Sequence, residues 1–295
     1  MIVSLTACEN LNNKMVDNLD IQGHRGCRGL MPENTVAGFI KAIDLGVNTL
    51  EMDVVVNSNG DVFVSHEPFF NHEIAITPDG TEITEETEKS HNMYPLSVEE
   101  IKAYDVGSKK HPRFPIQKKM ESSKPLLKEV VAASERYSKQ NGITPLLYNI
   151  EIKRKAEHDG VYHPEMKNFA DVVCAEIRRC GIMDRTTVQC FDVPTLQYIH
   201  ETYPNVKLVY LIENTNPFEE NLKLLGFQPE VYSPYFQLVT EDLLSYSKKK
   251  GMKVIPWTVN EVVDIEKLID DAVDGIISDY PDKVIEIWMS KQKQH

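Results

Sequence analysis

The chain has 295 residues, of which 41% are hydrophobic and 26% charged, a balance suited to one large globular domain or two ordinary ones. Its net charge of −13 repels nucleic acid at long range, which excludes a general nuclease or DNA binder, and no run of about 18 apolar residues exists to span a bilayer. Cys8, Cys27, Cys174, Cys180 and Cys190 are scattered without a CxxC pair. Neither a zinc ribbon nor a disulfide framework is expected, and Cys174, Cys180 and Cys190 read as small buried fillers.

Residues 1–20 stand apart as a signal remnant or linker. "MIVSLTAC" ends in Leu5-Thr6-Ala7-Cys8, which resembles a bacterial lipobox, and the polar "ENLNNKMVDN" follows. Seven residues precede Cys8 and none is basic, which falls short of a secretory signal. The expectation is lipidation at Cys8, a membrane tether, and an exported location, periplasmic or membrane-anchored. A chance match is the alternative, with a cytoplasmic protein if Met1 is the true start.

A first strand is expected over 21–26 and a helix over 34–45, closed by Gly46. The strands "TLEMDVVV" and "DVFVSH" follow, joined by "NSNG", in which Asn59-Gly60 signals a hairpin turn. Residues 67–124 are polar, carry several prolines and three histidines, and read as a candidate insertion. Alternation then resumes with a helix over 126–139 and the strand "LLYNIEIK". The helix "PEMKNFADVVCAEIRRCG" precedes the strand "TTVQCFD", and helical "VPTLQYIHETYP" precedes extended "KLVYLIEN". "PFEENLKLLG", "TEDLLSYSKKKG", "VVDIEKLIDDAV" and "DKVIEIWMSKQ" are helical, interleaved with extended "VYSPYF", "KVIPWTVN" and "DGIISDY". Gly181, Gly226 and Gly251 stand where helix C-caps belong.

About eight β-then-α units with β-branched strands predict an α/β fold, a (β/α)8 TIM barrel over 21–290 with the insertion after the second strand region. A doubly wound open sheet is the alternative. It lacks its usual fingerprint, since no GxGxxG follows the first strand.

A barrel carries its chemistry at the C-terminal ends of its strands. His24-Arg25, Glu51 and Asp53, His66, then Asn149, Glu151 and Lys153 fall there, as do Gln189, Tyr235, Trp257 and Asn260. Residues two apart share a strand face, so Glu51 pairs with Asp53 and Glu151 with Lys153. Singly, Glu51-Asp53 could be a wet strand end and Glu151-Lys153 a surface ion pair. Together they place three carboxylates inward, which is costly unless they bind a cation. Oxygen ligands suit one divalent Ca²⁺ or Mg²⁺ better than zinc. Arg25 and Lys153 can hold the oxygens of a phosphodiester, and two imidazoles can divide proton removal from proton donation. His72, His91, His111, His158, His163 and His200 read as structural or solvent-exposed.

The stretches "GHRG…MPENTVAGFIKAIDLGVNTLEMDVVVNSNGDVFVSHE", "NIEIK" and "WTVN…DGIISDYPD" resemble the glycerophosphodiester phosphodiesterase family, over 22–283. The resemblance implies His24 and His66 as general acid and base. It implies Glu51, Asp53 and Glu151 as ligands of Ca²⁺ or Mg²⁺, and Arg25 and Lys153 as phosphate contacts. Glu33 of "PENT" would order the first loop, and Trp257 would line the pocket near the glycerol moiety. Three departures stand out: Glu67 where Asp often follows the second histidine, "NSNG" in the hairpin, and Cys27, whose alternatives are a reactive thiol or an ordinary small residue. The expected reaction is metal-dependent hydrolysis of a small glycerophosphodiester to sn-glycerol 3-phosphate and an alcohol, with no nucleic-acid partner. Rival readings are a phospholipid-directed phosphodiesterase or phospholipase D-like lyase on the same fold, and a non-catalytic headgroup-binding protein. The resemblance further implies that 67–124 is a capping insertion that influences the choice of alcohol, and the residue pattern leaves the cation, direct water attack versus a cyclic phosphate, and the oligomeric state open.

Overall fold

The computed structural model describes residues 19–143 and 145–293; Cys8 and most of the 1–20 segment lie outside the described residues. The elements follow the predicted alternation. They are β1 (Asp20–Gly23), α1 (Val36–Leu45), β2 (Thr49–Val56), β3 (Val62–Val64), α2 (Val98–Lys102), α3 (Leu127–Gln140), β4 (Leu147–Ile152) and α4 (Met166–Arg179). Then come β5 (Thr186–Cys190), α5 (Val193–Thr202), β6 (Lys207–Ile212), α6 (Phe218–Leu225), β7 (Val231–Pro234), α7 (Glu241–Lys250), β8 (Lys253–Val254), α8 (Val262–Asp270), β9 (Gly275–Ser278) and α9 (Pro281–Gln292).

The parallel strands run in the order β8-β7-β6-β5-β4-β2-β1-β9, and β3 adds antiparallel to β2. The sheet closes through backbone hydrogen bonds between the β8 and β9 regions, from Asp274 to the Val254 carbonyl and from Ile277 to that of Pro256, each at 3.0 Å. This is a (β/α)8 TIM barrel. The extended run "KVIPWTVN" contributes only Lys253–Val254 to the regular ladder, although the Ile255 and Trp257 N–H groups still bond the Tyr232 and Pro234 carbonyls (3.3 and 3.1 Å); toward β9, Pro256 accepts from Ile277 but has no N–H to donate.

Packing follows the alternation within each strand. Leu50, Met52 and Val54 point outward into the helix-facing core with Phe39, Ile43, Val130 and Phe169. The barrel interior is divided. Val209, Val231, Ile255 and Ile277 form an apolar half. The other half is a run of buried amides. Gln22 donates to Asp20 (2.8 Å), Asn149 donates to Gln22 (2.8 Å) and to Gln189 (3.0 Å), and Gln189 donates to Glu51 (2.7 Å).

Two boundaries differ from expectation around the first loop. β1 stops at Gly23 rather than at residue 26, because the chain turns there and the Gly26 N–H bonds the Gly23 carbonyl at 3.1 Å. A Cβ on Gly23 would lie 2.1 Å from the Gly26 carbonyl oxygen, so the turn needs glycine there. α1 starts at Val36 rather than at residue 34. Asn34 has φ +54°, outside the helical region, and Thr35 takes the N-cap, its hydroxyl accepting from the Gly38 N–H at 3.1 Å.

Segment 67–124 builds a small core of its own. Phe70, Ile74, Ile83, Met93, Ile101 and Val106 pack on Val55, Phe63 and Leu126, with the Phe70 and Tyr104 rings stacked at 3.6 Å. It is tied to the first loop by the Lys118 N–H to the Leu30 carbonyl (2.8 Å) and the Gln117 amide to the Arg28 carbonyl (2.7 Å). The segment therefore wraps the C-terminal ends of the strands.

Candidate active site

A cleft of about 630 Å³ opens at those strand ends. His24, Arg25, Glu51, His66, Glu151, Lys153 and Trp257 line it. The carboxylates of Glu51, Asp53 and Glu151 converge, each offering an oxygen within 4.8 Å of the others. All three are buried, and Asp53 Oδ1 has no hydrogen-bond partner.

The first loop places His24 and Arg25. Arg25 has φ +50°, which turns its side chain across the barrel mouth. Its backbone N–H donates to Glu51 Oε2 (2.8 Å), and its guanidinium reaches Glu33 (3.0 Å) and Asp53 (3.2 Å). Glu33 also faces Arg28 at 3.6 Å, so the "PENT" turn is pinned from two sides. Asn34 donates its amide to Asp53 at 2.9 Å. Lys153 donates to Glu151 (2.7 Å) and stands 3.9 Å from Asp53.

Both imidazoles are held through Nδ1. His24 donates from Nδ1 to Asp279 Oδ1 at 2.6 Å, and His66 from Nδ1 to Glu67 Oε1 at 2.7 Å. In each ring a carboxylate on Nδ1 leaves Nε2 as the proton-accepting nitrogen; among the described residues it has no hydrogen bond, and in His24 it faces Glu51 Oε2 at 4.0 Å. Asp279 is itself fixed by Arg28 (2.9 and 3.2 Å) and Asn260 (2.8 Å).

The electrostatics follow from burial and excess negative charge. Burial pushes Glu51 well above the usual carboxylate range, and its neighbours Asp53 and Glu151 push the same way. Glu151 is raised by burial to about 7, although Lys153 opposes this. Burial would raise Asp53 too, but Arg25 and Lys153 hold it below its ordinary value. His66, half-buried in the cleft, lies well below the ordinary histidine value because it is desolvated there and faces Arg25 and Lys153. His24 is lowered by burial, with Asp279 pulling the other way. Two carboxyls driven toward protonation beside a third with an orphaned oxygen form a donor set that a hard cation would relax.

Trp257 anchors its indole N–H on the Ser233 carbonyl (2.9 Å) and meets Phe191 edge to face at 5.4 Å. Tyr235 stands behind it, 5.9 Å from the indole. Asn260 serves Asp279, and Gln189 serves Glu51. Cys27 is buried against the Gly38 carbonyl, and burial raises its thiol to about 12, which removes the reactive-thiol alternative. His72, His91, His163 and His200 are held by Glu88, Tyr104, the Pro164 carbonyl and Phe227 respectively. His111 and His158 line the cleft.

Asp279, Arg28, Asn34 and Lys124 were not among the residues singled out from the sequence. Asp279 could have been, because it directly follows β9 at the same end of the barrel. Arg28 and Lys124 lie on irregular segments with no periodicity to mark them.

Fold and cleft together define an α/β-barrel enzyme with a buried acidic cluster flanked by cations and histidines. Residues 24–283 match the glycerophosphoryl diester phosphodiesterase family, and the chain belongs to it. It is 29% identical over 268 residues to a glycerophosphodiester phosphodiesterase of Caldanaerobacter subterraneus subsp. tengcongensis, covering 90% of this chain and 95% of the relative. A solved structure from Silicibacter pomeroyi DSS-3, a candidate glycerophosphoryl diester phosphodiesterase, superposes with TM-score 0.82 at 28% identity, covering 92% of this chain and 94% of that one. An Oleispira antarctica phosphodiesterase in complex with its product sn-glycerol 3-phosphate shares the fold at TM-score 0.71 and 20% identity, over 91% of this chain and 96% of that one.

Proposed function

We propose that this enzyme hydrolyses small glycerophosphodiesters to sn-glycerol 3-phosphate and an alcohol, using a divalent cation and two histidines. The observation that carries this reading is the juxtaposition, in one cleft, of three buried carboxylates with two imidazoles that are each held by a carboxylate at Nδ1, the Nε2 of His24 facing Glu51 at 4.0 Å. The product complex of the Oleispira relative supports the substrate class.

Glu51, Asp53 and Glu151 would hold the cation, with Ca²⁺ or Mg²⁺ suited to their oxygen donors. When bound, it supplies Lewis-acid polarisation of the phosphoryl group and neutralises charge on its oxygens. Arg25 and Lys153 bind the phosphate and orient it. Desolvation in the cleft and the surrounding cations favour neutral His66, so its Nε2 takes the proton of the nucleophile, whether water or the glycerol hydroxyl. His24 has Asp279 against Nδ1, which makes it the better proton holder, so it protonates the departing alkoxide. Trp257 and Phe191 offer an apolar wall to the carbon portion of the substrate. Segment 67–124 contributes Asn71, Glu73, Ile74 and His111 to the cleft and would tune the choice of alcohol.

The test is release of sn-glycerol 3-phosphate from glycerophosphocholine and glycerophosphoethanolamine in EDTA, in Mg²⁺ and in Ca²⁺, for the wild type and for His24→Ala. Cation-dependent release that the substitution abolishes is expected. No release from either diester with any cation overturns the reading. For the N-terminal segment the proposal is a lipid tether at Cys8, and an unmodified Met1 in mass spectrometry of the native protein overturns it.

A further inference from the structure

Among the described residues, three side chains with a full positive charge in water are buried: Arg25, Arg28 and Lys124. The first two have carboxylate oxygens close by, Arg25 with Glu33 and Asp53, Arg28 with Glu33 and Asp279. Lys124 does not. Its ammonium group, on a residue only 3% exposed, donates to the Ser65 hydroxyl at 2.7 Å, and among the described residues no carboxylate lies within 4.0 Å of it. Ser65 spends its own proton on the Glu67 carbonyl (2.6 Å), so it meets Lys124 as an acceptor only.

The position of this ammonium is fixed. The Val64 N–H bonds the Pro125 carbonyl at 2.8 Å, which locks the end of segment 67–124 against β3, and Lys124 thereby sits beside Ser65-His66. It lines the same cleft as His24, Arg25 and His66. Glu33 and Glu67 attract it from farther away, but Glu33 is engaged by both arginines and Glu67 by His66. An ammonium has three N–H donors, and here one is used on a neutral partner. Burying such a group without a counter-ion is unfavourable for the free protein. Burial accordingly lowers Lys124 to about 8.

A buried cation without a counter-ion, facing a cleft, is matched by an anionic ligand. We propose that Lys124 is a further phosphate-binding residue, a third cationic contact beside Arg25 and Lys153 that meets the substrate's phosphodiester and, more strongly, the doubly charged phosphate monoester product. This inference rests on the phosphodiesterase reading for its substrate, and on the geometry alone for its anion.

The variant that tests it is Lys124→Met, which keeps the apolar stem and removes the charge, with Lys124→Arg as the charge-preserving companion. The probes are inorganic phosphate and sn-glycerol 3-phosphate, followed by calorimetry on the full chain, and glycerophosphocholine in steady-state kinetics. In Lys124→Met, KM is expected to rise about tenfold, binding of sn-glycerol 3-phosphate to weaken by more than that, and kcat to change less than either. Its Tm is expected to stay level or rise, because an unpaired buried charge has been removed. Lys124→Arg recovers part of the binding. In the wild type, binding of sn-glycerol 3-phosphate weakens as the pH rises through about 8, where Lys124 loses its proton among Glu33, Glu67, Arg25 and Asp53. That limb is absent in Lys124→Met.

Unchanged KM and unchanged phosphate binding in Lys124→Met would overturn the proposal. A fall in Tm with binding intact would make Lys124 a structural prop and overturn it equally. If the wild type cleaves no glycerophosphodiester, the proposed activity fails. The binding of inorganic phosphate by wild type and variant still decides the role of Lys124.

Discussion

Replacing Asp279 by Asn isolates the contribution of one carboxylate to the proposed acid–base pair. The side chain is 1% exposed and touches His24, Arg28 and Asn260, so an amide of the same shape fits the space. At the His24–Asp279 separation of 2.6 Å, two unit charges in an effective dielectric near 20 attract by roughly 6 kcal/mol. That attraction favours the imidazolium over the imidazole, and an amide dipole recovers only part of it. A net loss of about 4–5 kcal/mol corresponds to a fall in kcat of roughly 10³–10⁴. The amide can also offer a donor to Nδ1, which would move the ring proton to Nε2 and reverse its hydrogen bonding. Arg28 loses its main partner and keeps only Glu33 at 3.6 Å, so stability should drop by about 3 kcal/mol. Asp279 raises the proton affinity of His24, so without it the alkaline limb of the pH–rate profile moves to lower pH. Cation affinity is expected to hold, because Glu51, Asp53 and Glu151 are untouched. Steady-state rates on glycerophosphocholine, a pH profile, thermal denaturation and Ca²⁺ titration read these effects separately. A variant with kcat within about threefold of wild type and an unmoved alkaline limb would refute the role given to His24 and Asp279.

Removing the cation with EDTA should abolish turnover, and restoring it at about 100 times its Kd should stabilise the fold by about 2.7 kcal/mol, read as a rise in Tm. Glu51→Gln should weaken that binding by at least about 100-fold in a direct titration; equal affinity would place the cation elsewhere. Burial alone would raise Glu33, but Arg25 and Arg28 hold it down at about 2. Because its folded value is depressed, its contribution to stability is present above the ordinary value near 4.3 and fades as pH falls through about 2. That contribution is on the order of 3 kcal/mol, so denaturant titrations of Glu33→Gln should show a shallower loss of stability across that window than wild type, and parallel curves would contradict it. Gly23→Ala forces a Cβ to within 2.1 Å of the Gly26 carbonyl oxygen, so the loop bearing His24 and Arg25 must move. A stability loss of about 2–3 kcal/mol with a large fall in kcat is expected, and a variant with wild-type Tm and kcat would show that the turn tolerates a side chain.

Much of the site was legible because the barrel imposes two simple rules. The period of two on β2 and β4 sets Glu51, Asp53 and Glu151 inward, while Leu50, Met52 and Val54 supply the outer face. The strand-end rule then adds His24, His66 and Lys153. What the rules do not reach is anything placed by tertiary folding of irregular chain. Asn34 looked like the first residue of a helix, yet its left-handed backbone frees its amide for Asp53. Arg28 finds Asp279 across 251 positions of sequence, a pairing that no local pattern encodes. His111 reaches the cleft only because segment 67–124 has its own small core and folds back over the strand ends. The "KVIPWTVN" stretch reads as extended, yet only Lys253–Val254 enters the regular ladder, with Trp257 adding an isolated bridge to Tyr235.

The buried amides of the barrel interior have a directional property. A carboxylate stands at each end, Asp20 toward the base and Glu51 at the mouth, and neither can donate when ionised. Gln22 and Gln189 must therefore both turn their N–H groups outward and their oxygens inward. Asn149, between them, gives both of its hydrogens, and the Thr187 hydroxyl satisfies its oxygen at 2.9 Å. No single amide can turn over without setting two oxygens or two hydrogens face to face. With both end carboxyls ionised, as Glu51 would be when it holds a cation, the orientation is a property of the whole row. A Gln22→Leu substitution far from the cleft would leave Asn149 with an unspent hydrogen and loosen the donor that steadies Glu51. The base of this barrel, where substitutions ordinarily register as stability alone, is wired by proton direction to the carboxylates at the top.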